Sequence, residues 1–463
     1  MAPDYDVVII GGGQAGIPLA WALAQAGKHV VLAERKFLGG SCVNFGCTPT
    51  KAAIASAKVA HQARRGAEYG LHIPSVEVDF PAVLARARRE ALESRQGIEQ
   101  GLHGVENPKL LPHHAHLKGE SEDGFRVIVG DLVITSAQVV LNTGTRSLLP
   151  DIPGLQEANA LHAGNWMDRA ELPARLAILG AGYIGLEMGQ FYRRMGSEVI
   201  LIDHNDRVVP HEDEDVSLQL QACLAAEGIS FVFQCNLERI EIKDASDCPN
   251  RLTLKLTQNG VAKEISATHL FVATGRVPNT DDLGLESVGV KMAEHGYVAV
   301  DERLSTNVDG IWAAGDIRGG PLFTHASWDD FRILQSQMVG NGKRTTQRIM
   351  PYAIYTDPEV GRVGMTEREA RRSERPLMVA KFEMKHNGKA SEIGETHGFI
   401  KVIADAETKR LLGAAVVAAE GAELVHCFID VMNADAPYTV IRDAIHIHPT
   451  LAEAVQSAVA ALD

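Results

Sequence analysis

Apolar and polar positions along this chain fall into two kinds of block. Short aliphatic runs such as VVII from Val7 and LAIL from Leu176 read as buried strands, and each leads into a glycine-rich turn. Residues 7–34, VVIIGGGQAGIPLAWALAQAGKHVVLAE, align without a gap on residues 176–203, LAILGAGYIGLEMGQFYRRMGSEVILID. Each copy runs strand, glycine turn, helix, glycine stop, second strand and terminal acid, which is a βαβ unit twice over. Residues 51–103 read as helices rich in Ala, Leu, Arg and Glu, and residues 110–142 as short strands. DIPGLQEANA is a turn-rich boundary before the second unit, and VGNGKRTTQ from Val339 is the clearest linker. From about Ile349 strands such as GFIKVIAD mix with helices such as ELVHCFIDVMNA.

The glycines of the two copies stand where dinucleotide chemistry needs them. Gly11 allows a tight turn, Gly13 lets a pyrophosphate approach the backbone, and Gly16 permits helix to pack closely on strand. Gly180, Gly182 and Gly185 repeat the arrangement. Phosphates then meet a helix N-terminus, whose free N–H groups and dipole favour anions. Glu34 and Asp203 close the units where a carboxylate can accept from a ribose diol. Two such sites in one chain suggest a tightly held flavin and an exchanging nicotinamide.

Composition narrows the class. At 463 residues the chain exceeds one ordinary core, and two to four domains are expected. A formal charge of -14 without a long Lys/Arg block argues against nucleic acid or an anionic membrane as the main partner. Neither a signal peptide nor a long apolar run is visible, so a soluble cytoplasmic protein is expected. Six cysteines in this length do not make a disulfide scaffold.

Two of them, Cys42 and Cys47, stand in GGSCVNFGCTPTK. A regular helix would separate them by about 7.5 Å along its axis, so the segment must be irregular if the sulfurs are to bond. Gly46 supplies that freedom, and Pro49 suits a helix start. Cys47 would then lie at a helix N-terminus, where the dipole favours thiolate. A zinc half-site lacks two further ligands in this segment, so no resident metal is expected. Two inert core thiols are the other alternative. The position just after Glu34, within the first nucleotide unit, favours a working redox pair.

GGSCVNFGCTPTK resembles the redox segment of the class I flavoprotein disulfide reductases, among them dihydrolipoamide dehydrogenase, glutathione reductase and mercuric reductase. LNTGTRSLLPDIPG, VATGRVPNTDDLGL, IWAAGDI, YTDPEVGRVGMTE and IHIHPTLAEA follow in that family's order. The resemblance implies an α/β fold of two Rossmann-like domains and a C-terminal α+β dimerisation domain. It divides the chain into an FAD-binding domain at 1–150, an NAD-binding domain at 151–276, a central segment at 277–346 completing the FAD domain, and a dimerisation domain at 347–463. FAD would occupy the first unit, with Ala115, Thr143, Gly144, Gly315 and Asp316 where the family contacts it. NADH would occupy the second, with Gly275 where the family meets NAD and Tyr183 resembling the aromatic gate of glutathione reductase. Cys42 and Cys47 would be the redox-active disulfide, Cys47 nearer the flavin and Cys42 the interchange thiol. Lys51 and Glu187 match the family's ion pair beside the flavin, and His448 and Glu453 its acid-base dyad, given across a homodimer axis. His446 is left to packing.

Asp203 welcomes the ribose diol of NADH and repels the phosphate of NADPH, while His204 and Arg207 leave NADPH as an alternative. PLFTHASWDDFRIL from Pro321 resembles the mercuric-reductase-like and metal-reductase-like branch, whereas HIHPTLAEA and GLEMG resemble dihydrolipoamide dehydrogenase. True mercuric reductase carries a vicinal cysteine pair near its C-terminus; this chain reads QSAVAALD there, so mercury is not the expected substrate. A small-molecule disulfide or a metal ion is therefore the expected acceptor, with lipoamide as the alternative. A reading from another class is an FAD-binding assembly protein with residual diaphorase activity.

Overall fold

The computed structural model describes residues 2–245 and 248–463. The first unit is β1 (Tyr5–Ile10), α1 (Gly16–Gln25) and β2 (Val30–Ala33). Val7, Val8 and Ile9 are wholly buried, as strands covered on both faces must be. Three helices follow, α2 (Gly40–Asn44), α3 (Cys47–Arg64) and α4 (Phe80–Leu102). Then come β3 (Lys109–Leu111), β4 (Ala115–Ser121), β5 (Gly124–Val129) and β6 (Leu132–Leu141). The sheet runs β3-β2-β1-β6-β5-β4, parallel where β1 is flanked by β2 and β6.

The helical reading of residues 51–103 is met by α3 and α4, interrupted after Arg64. Gly70 turns with a positive φ, and the chain stays irregular until the Asp79 carboxylate caps α4 by accepting from the Ala82 N–H. On α3, Ala53, Ala57 and Ala60 form a buried stripe at helical spacing. Their small size lets α3 share one core with Phe80 and Leu84 of α4 and with residues of the second unit.

The second unit holds β7 (Thr145–Ser147), β8 (Leu161–His162), β9 (Arg175–Leu179), α5 (Tyr183–Met195), β10 (Glu198–Ile202), α6 (Glu214–Ala226) and β11 (Ser230–Val232). An antiparallel trio follows, β12 (Cys235–Ala245), β13 (Cys248–Gln258) and β14 (Val261–Ala267), and then β15 (His269–Val272). The parallel sheet is ordered β11-β10-β9-β15-β8. β16 (Arg276–Pro278) pairs with β7, and β17 (Ile311–Ala313) returns to the first sheet beside β6, opposite Val139–Leu141. α7 (Thr324–Val339) lays Ile333 and Leu334 in the core formed by Leu19 and Leu23 of α1. Residues 340–351 carry no regular element.

The last segment is a five-stranded antiparallel sheet of β18 (Tyr352–Ile354), β19 (Glu359–Gly364), β20 (Leu377–Glu383), β21 (Phe399–Asp405) and β22 (Leu411–Ala418), ordered β18-β19-β22-β21-β20. Helix Glu453–Ala460 covers it through Ala454, Val455, Ala458 and Val459. A buried charge network joins this sheet to the second unit. The Arg362 guanidinium on β19 donates to Glu212 at 3.0 Å through Nε, and Lys401 on β21 meets Asp213 at 2.9 Å and Asp215 at 2.8 Å. Arg362 and Glu212 are almost fully buried, so removing one partner leaves an uncompensated charge in the protein interior. Arg362→Ala is expected to destabilise the protein by about 3–5 kcal/mol, seen as a large fall in Tm in thermal unfolding.

Candidate active site

The helix that begins the redox segment stops at Asn44. Phe45 (φ -138, ψ -25) and Gly46 (φ -102, ψ -115) leave helical geometry, and α3 restarts at Cys47, so the two cysteines sit on separate helices meeting at a kink. The N–H groups of Phe45 and Gly46 donate to the Ser41 carbonyl at 3.0 and 2.7 Å. A Cβ at Gly46 would stand 3.1 Å from that carbonyl oxygen, so the return is tight. The Trp166 indole N–H donates to the Phe45 carbonyl at 3.0 Å.

Both cysteines are free thiols here. Cys47 lies in the wall of a cavity, enclosed by protein yet open on its cavity side, with its Sγ 3.2 Å from the Thr324 hydroxyl at the start of α7. A hydrogen bond from the Cys42 thiol pulls the Cys47 pKa down to about 6; burial opposes this, while Thr324 and the Lys51 charge add to it. Cys42 moves the opposite way, strongly up, because it holds the shared proton and is itself buried. One proton is therefore parked on Cys42 while Cys47 is the thiolate.

Lys51, one turn along α3, ends 2.7 Å from the Glu187 carboxylate on α5. Burial opposes its charge, but Glu187 outweighs burial and the Lys51 pKa is raised. The ammonium also lies 4.6 Å from the centroid of the Tyr355 ring, and the second Glu187 oxygen accepts from the Tyr355 N–H at 2.8 Å. A fixed positive charge thus stands beside the two sulfurs.

The cavity has a volume of about 1340 Å³ and runs from the glycine turn of the first unit to the redox segment. Gly11 has φ +111, and a Cβ there would lie 2.3 Å from the Asn142 carbonyl oxygen; one on Gly16 would lie 2.2 Å from the Gly11 oxygen. Gly13 has Asn142 Oδ1 at 3.0 Å from such a Cβ. The same Asn142 amide accepts from the Gly16 N–H at 2.9 Å and donates to the Ala314 carbonyl at 2.7 Å. Glu34 accepts from the Gly12 N–H at 2.8 Å and remains half-open to the cavity. Ala115, Thr143, Gly144 and Asp316 line it as well, whereas Gly315 stands behind, its N–H donating to the buried Asp330 carboxylate at 2.8 Å. Burial pushes the Asp316 pKa up, against the Arg276 guanidinium at 3.9 Å and the Thr145 hydroxyl at 2.9 Å. A cradle kept clear of Cβ atoms, with a half-open acid at its end, fits the pyrophosphate and ribose of FAD.

In the second unit a Cβ on Gly185 would lie 2.0 Å from the Gly180 oxygen, which explains that glycine, while one on Gly182 would meet nothing within 4 Å. The space over Gly182 is open for a ligand. Asp203 closes the second unit at the end of β10, against the glycine loop. Its Oδ2 accepts from the Ala181 N–H at 2.6 Å and its Oδ1 from the Asn205 backbone and side chain at 2.8 Å, leaving the side chain 8% exposed. Glu34 makes the equivalent pair of bonds, to the Gly12 and Lys36 N–H groups at 2.8 and 2.7 Å. Gly275 (φ +135) accepts from the Leu148 N–H at 2.9 Å and stands outside the large cavity, as Gly182 and Asp203 do. Tyr183 lines that cavity, its ring 5.9 Å from the Phe323 centroid and its phenol pKa raised by burial.

The last pair does not line the cavity of its own chain. His448 Nδ1 lies 3.0 Å from Glu453 Oε1, and the other Glu453 oxygen accepts from the Thr450 N–H at 2.9 Å. That N–H first, and His448 second, hold the Glu453 pKa down. His448 is exposed, and its neighbours Ile445 and Ile447 present 101% and 79% of their surfaces. Residues of the site not singled out from sequence include Thr324, Trp166, Asn142, Arg276 and Tyr355. Asn142 and Arg276 stand inside the quoted motifs LNTGT and VATGR. Among the described residues no group of three or more His, Cys, Asp or Glu side chains is arranged to hold a metal ion, and no helix is long and apolar enough to cross a membrane.

Fold and cavity together describe a two-nucleotide oxidoreductase with a thiol pair. Residues 5–330 match the pyridine nucleotide-disulphide oxidoreductase family and residues 350–459 its dimerisation domain. The chain is 32% identical to a dihydrolipoyl dehydrogenase of Cupriavidus necator, covering 100% of this chain and 99% of that one. It is 31% identical to the probable pyridine nucleotide-disulfide oxidoreductase RclA of Escherichia coli, over 97% of this chain and 98% of that one. The structure described as the Cu(II) complex of the HOCl-induced flavoprotein disulfide reductase RclA superposes with a TM-score of 0.88 at 31% identity, covering 98% and 99% of the two chains. This chain belongs to the pyridine nucleotide-disulphide oxidoreductase family. It is an FAD- and NAD(P)H-dependent disulfide oxidoreductase.

Thr324→Val removes one of the hydrogen bonds to the Cys47 sulfur. In the wild type the thiolate is present above a pH of about 6 and is lost as pH falls through that value. The variant is expected to lose it at higher pH, read from the ultraviolet absorbance of the thiolate in the reduced protein against a Cys47→Ser control.

Proposed function

We propose that the protein oxidises NADH and passes the electrons through FAD and the Cys42–Cys47 disulfide to a small-molecule disulfide or metal-ion acceptor, in the mercuric-reductase-like branch. The observation that carries this reading is the Cys47 thiol lowered to about 6 beside the Lys51–Glu187 pair in the wall of the large cavity. The Cu(II) complex of RclA supports a metal ion among the acceptors. The alternative, dihydrolipoamide dehydrogenase, is favoured by the full-length likeness to the Cupriavidus enzyme. The named activities of these relatives speak against an assembly protein. In the same reading, residues 1–150 and 277–346 bind FAD, 151–276 bind the nicotinamide cofactor and 347–463 form a homodimer, in the cytoplasm. The return of β17 to β6 supports joining the central segment to the first.

Gly11, Gly13, Gly16, Glu34 and Asp316 would hold FAD, which when bound accepts a hydride from NADH and supplies an electron pair to the disulfide. The reduced pair then does its own chemistry. Cys42 gives its proton to His448 of the opposing subunit, whose imidazolium is stabilised through Nδ1 by Glu453. The Cys42 thiolate attacks the acceptor disulfide, forming a mixed disulfide, and the departing thiolate takes the proton back. The Cys47 thiolate then attacks the Cys42 sulfur, re-forming the Cys42–Cys47 bond and releasing the second acceptor thiolate. Lys51 and Thr324 keep Cys47 ionised for that step. The exposed Ile445 and Ile447 around the dyad support a partner subunit covering it.

Steady-state NADH oxidation with lipoamide, oxidised glutathione and Cu(II) in parallel separates the acceptor readings; turnover with lipoamide alone would favour the dehydrogenase. NADH should exceed NADPH in kcat/KM by at least about tenfold, on the order of 1.4 kcal/mol, because the Asp203 carboxylate repels a phosphate. His448→Ala should leave reduction by NADH intact while disulfide turnover falls by roughly a hundredfold or more. Mixing Cys42→Ser with His448→Ala protomers should restore one working site per heterodimer, and a catalytically competent monomer, or full disulfide turnover in His448→Ala, would refute the shared dyad.

A further inference from the structure

The segment between the two cysteines is held from outside its own domain. Trp166 lies just after β8, on the second unit, and is 1% exposed. Its ring packs edge-on against Phe191 of α5 at 5.9 Å, and its N–H donates to the carbonyl of Phe45 at 3.0 Å. Phe45 is the residue at which α2 leaves helical geometry. The orientation of its carbonyl sets how the chain turns from Cys42 toward Cys47.

We infer that Trp166 is a positioning residue for the redox pair, fixing the Phe45–Gly46 kink so that the two sulfurs stay within bonding reach. The inference rests on the reading of Cys42 and Cys47 as the working disulfide. Closing a disulfide demands a narrow range of Cα separation and sulfur torsion, whereas a dithiol does not. A loop already held in the closing geometry loses less conformational freedom when the bond forms. Without the indole N–H, the Phe45 carbonyl loses this partner beside a closely packed ring, and the kink can relax. The dithiol gains more from that relaxation than the disulfide does. The Cys42–Cys47 couple therefore becomes easier to reduce and harder to re-form.

The test equilibrates the FAD-loaded enzyme with mixtures of reduced and oxidised dithiothreitol. As the Cys42–Cys47 bond closes, the S–S bond of oxidised dithiothreitol opens and takes up the two electrons and two protons released. Acid quenching and alkylation under denaturing conditions, read by mass spectrometry of the Cys42–Cys47 peptide, give the equilibrium constant. In Trp166→Phe, which keeps an aromatic ring and removes the donor, that constant should fall about tenfold in favour of the dithiol. This corresponds to a midpoint about 30 mV more positive. If Trp166→Phe does not fold, benzothienylalanine at position 166 keeps the shape of the indole, lacks only its N–H, and should give the same shift. A residue that merely fills the core would leave the constant unchanged in these variants, and that result overturns the inference. Cys42→Ser is assayed alongside. Full disulfide turnover in that variant would overturn the functional reading itself, whereas an unchanged constant with an inactive Cys42→Ser would overturn the role of Trp166 alone.

Discussion

One buried carboxylate organises the catalytic half of this molecule. Glu187 sits on α5 of the second unit, takes the Lys51 ammonium of α3 on one oxygen and the Tyr355 N–H on the other. Those three groups come from chain segments far apart in sequence. A charge buried without compensation would cost several kcal/mol, so the three segments hold one another in place. The redox helix consequently has a fixed azimuth, with its cation facing the sulfurs. The Thr324 hydroxyl meets the Cys47 sulfur from that fixed helix.

The site divides its work between rigid elements. Helix starts supply the Cys47 sulfur and the Thr324 hydroxyl, so small tilts of α3 or α7 change the environment of that sulfur directly. The glycine turn is braced by a side chain, Asn142, which bonds both to the start of α1 and to the end of β17. Asp330 does the same for Gly315 from within α7. Each brace reaches the nucleotide-binding backbone from a different element, Asn142 from the end of β6 and Asp330 from α7, which is how loops become precise enough for chemistry.

Much of the architecture was legible because it is periodic. The alignment of residues 7–34 on 176–203 encodes two βαβ units, and backbone clearance accounts for Gly11, Gly16, Gly180 and Gly185 among their glycines. The kink between Cys42 and Cys47 was legible conditionally, since the spacing requires an irregular segment if the sulfurs are to bond and Gly46 allows one. His448 and Glu453 are five positions apart, and their hydrogen bond is local. Thr324, although inside PLFTHASWDDFRIL, was read only as part of a likeness to one branch, and Trp166 escaped notice because nothing in its own neighbourhood marks it. They meet the redox segment across 277 and 121 residues of chain, and only packing brings them there. Asp203 shows the opposite limit, where the type of residue was readable but its hydrogen bonds to Ala181 and Asn205 were not.

β17 carries a consequence for how the molecule is made. The C-terminal half of β6 has β1 on one side and β17 on the other, yet β17 is encoded after the whole second unit. During synthesis the first sheet therefore waits with an unpaired edge at Val139–Leu141 while the ribosome completes a separate domain. An open edge of buried aliphatic residues is the kind of surface that recruits other strands. The nascent chain is most exposed to misassembly in that interval, and chaperone demand should concentrate there rather than at chain release.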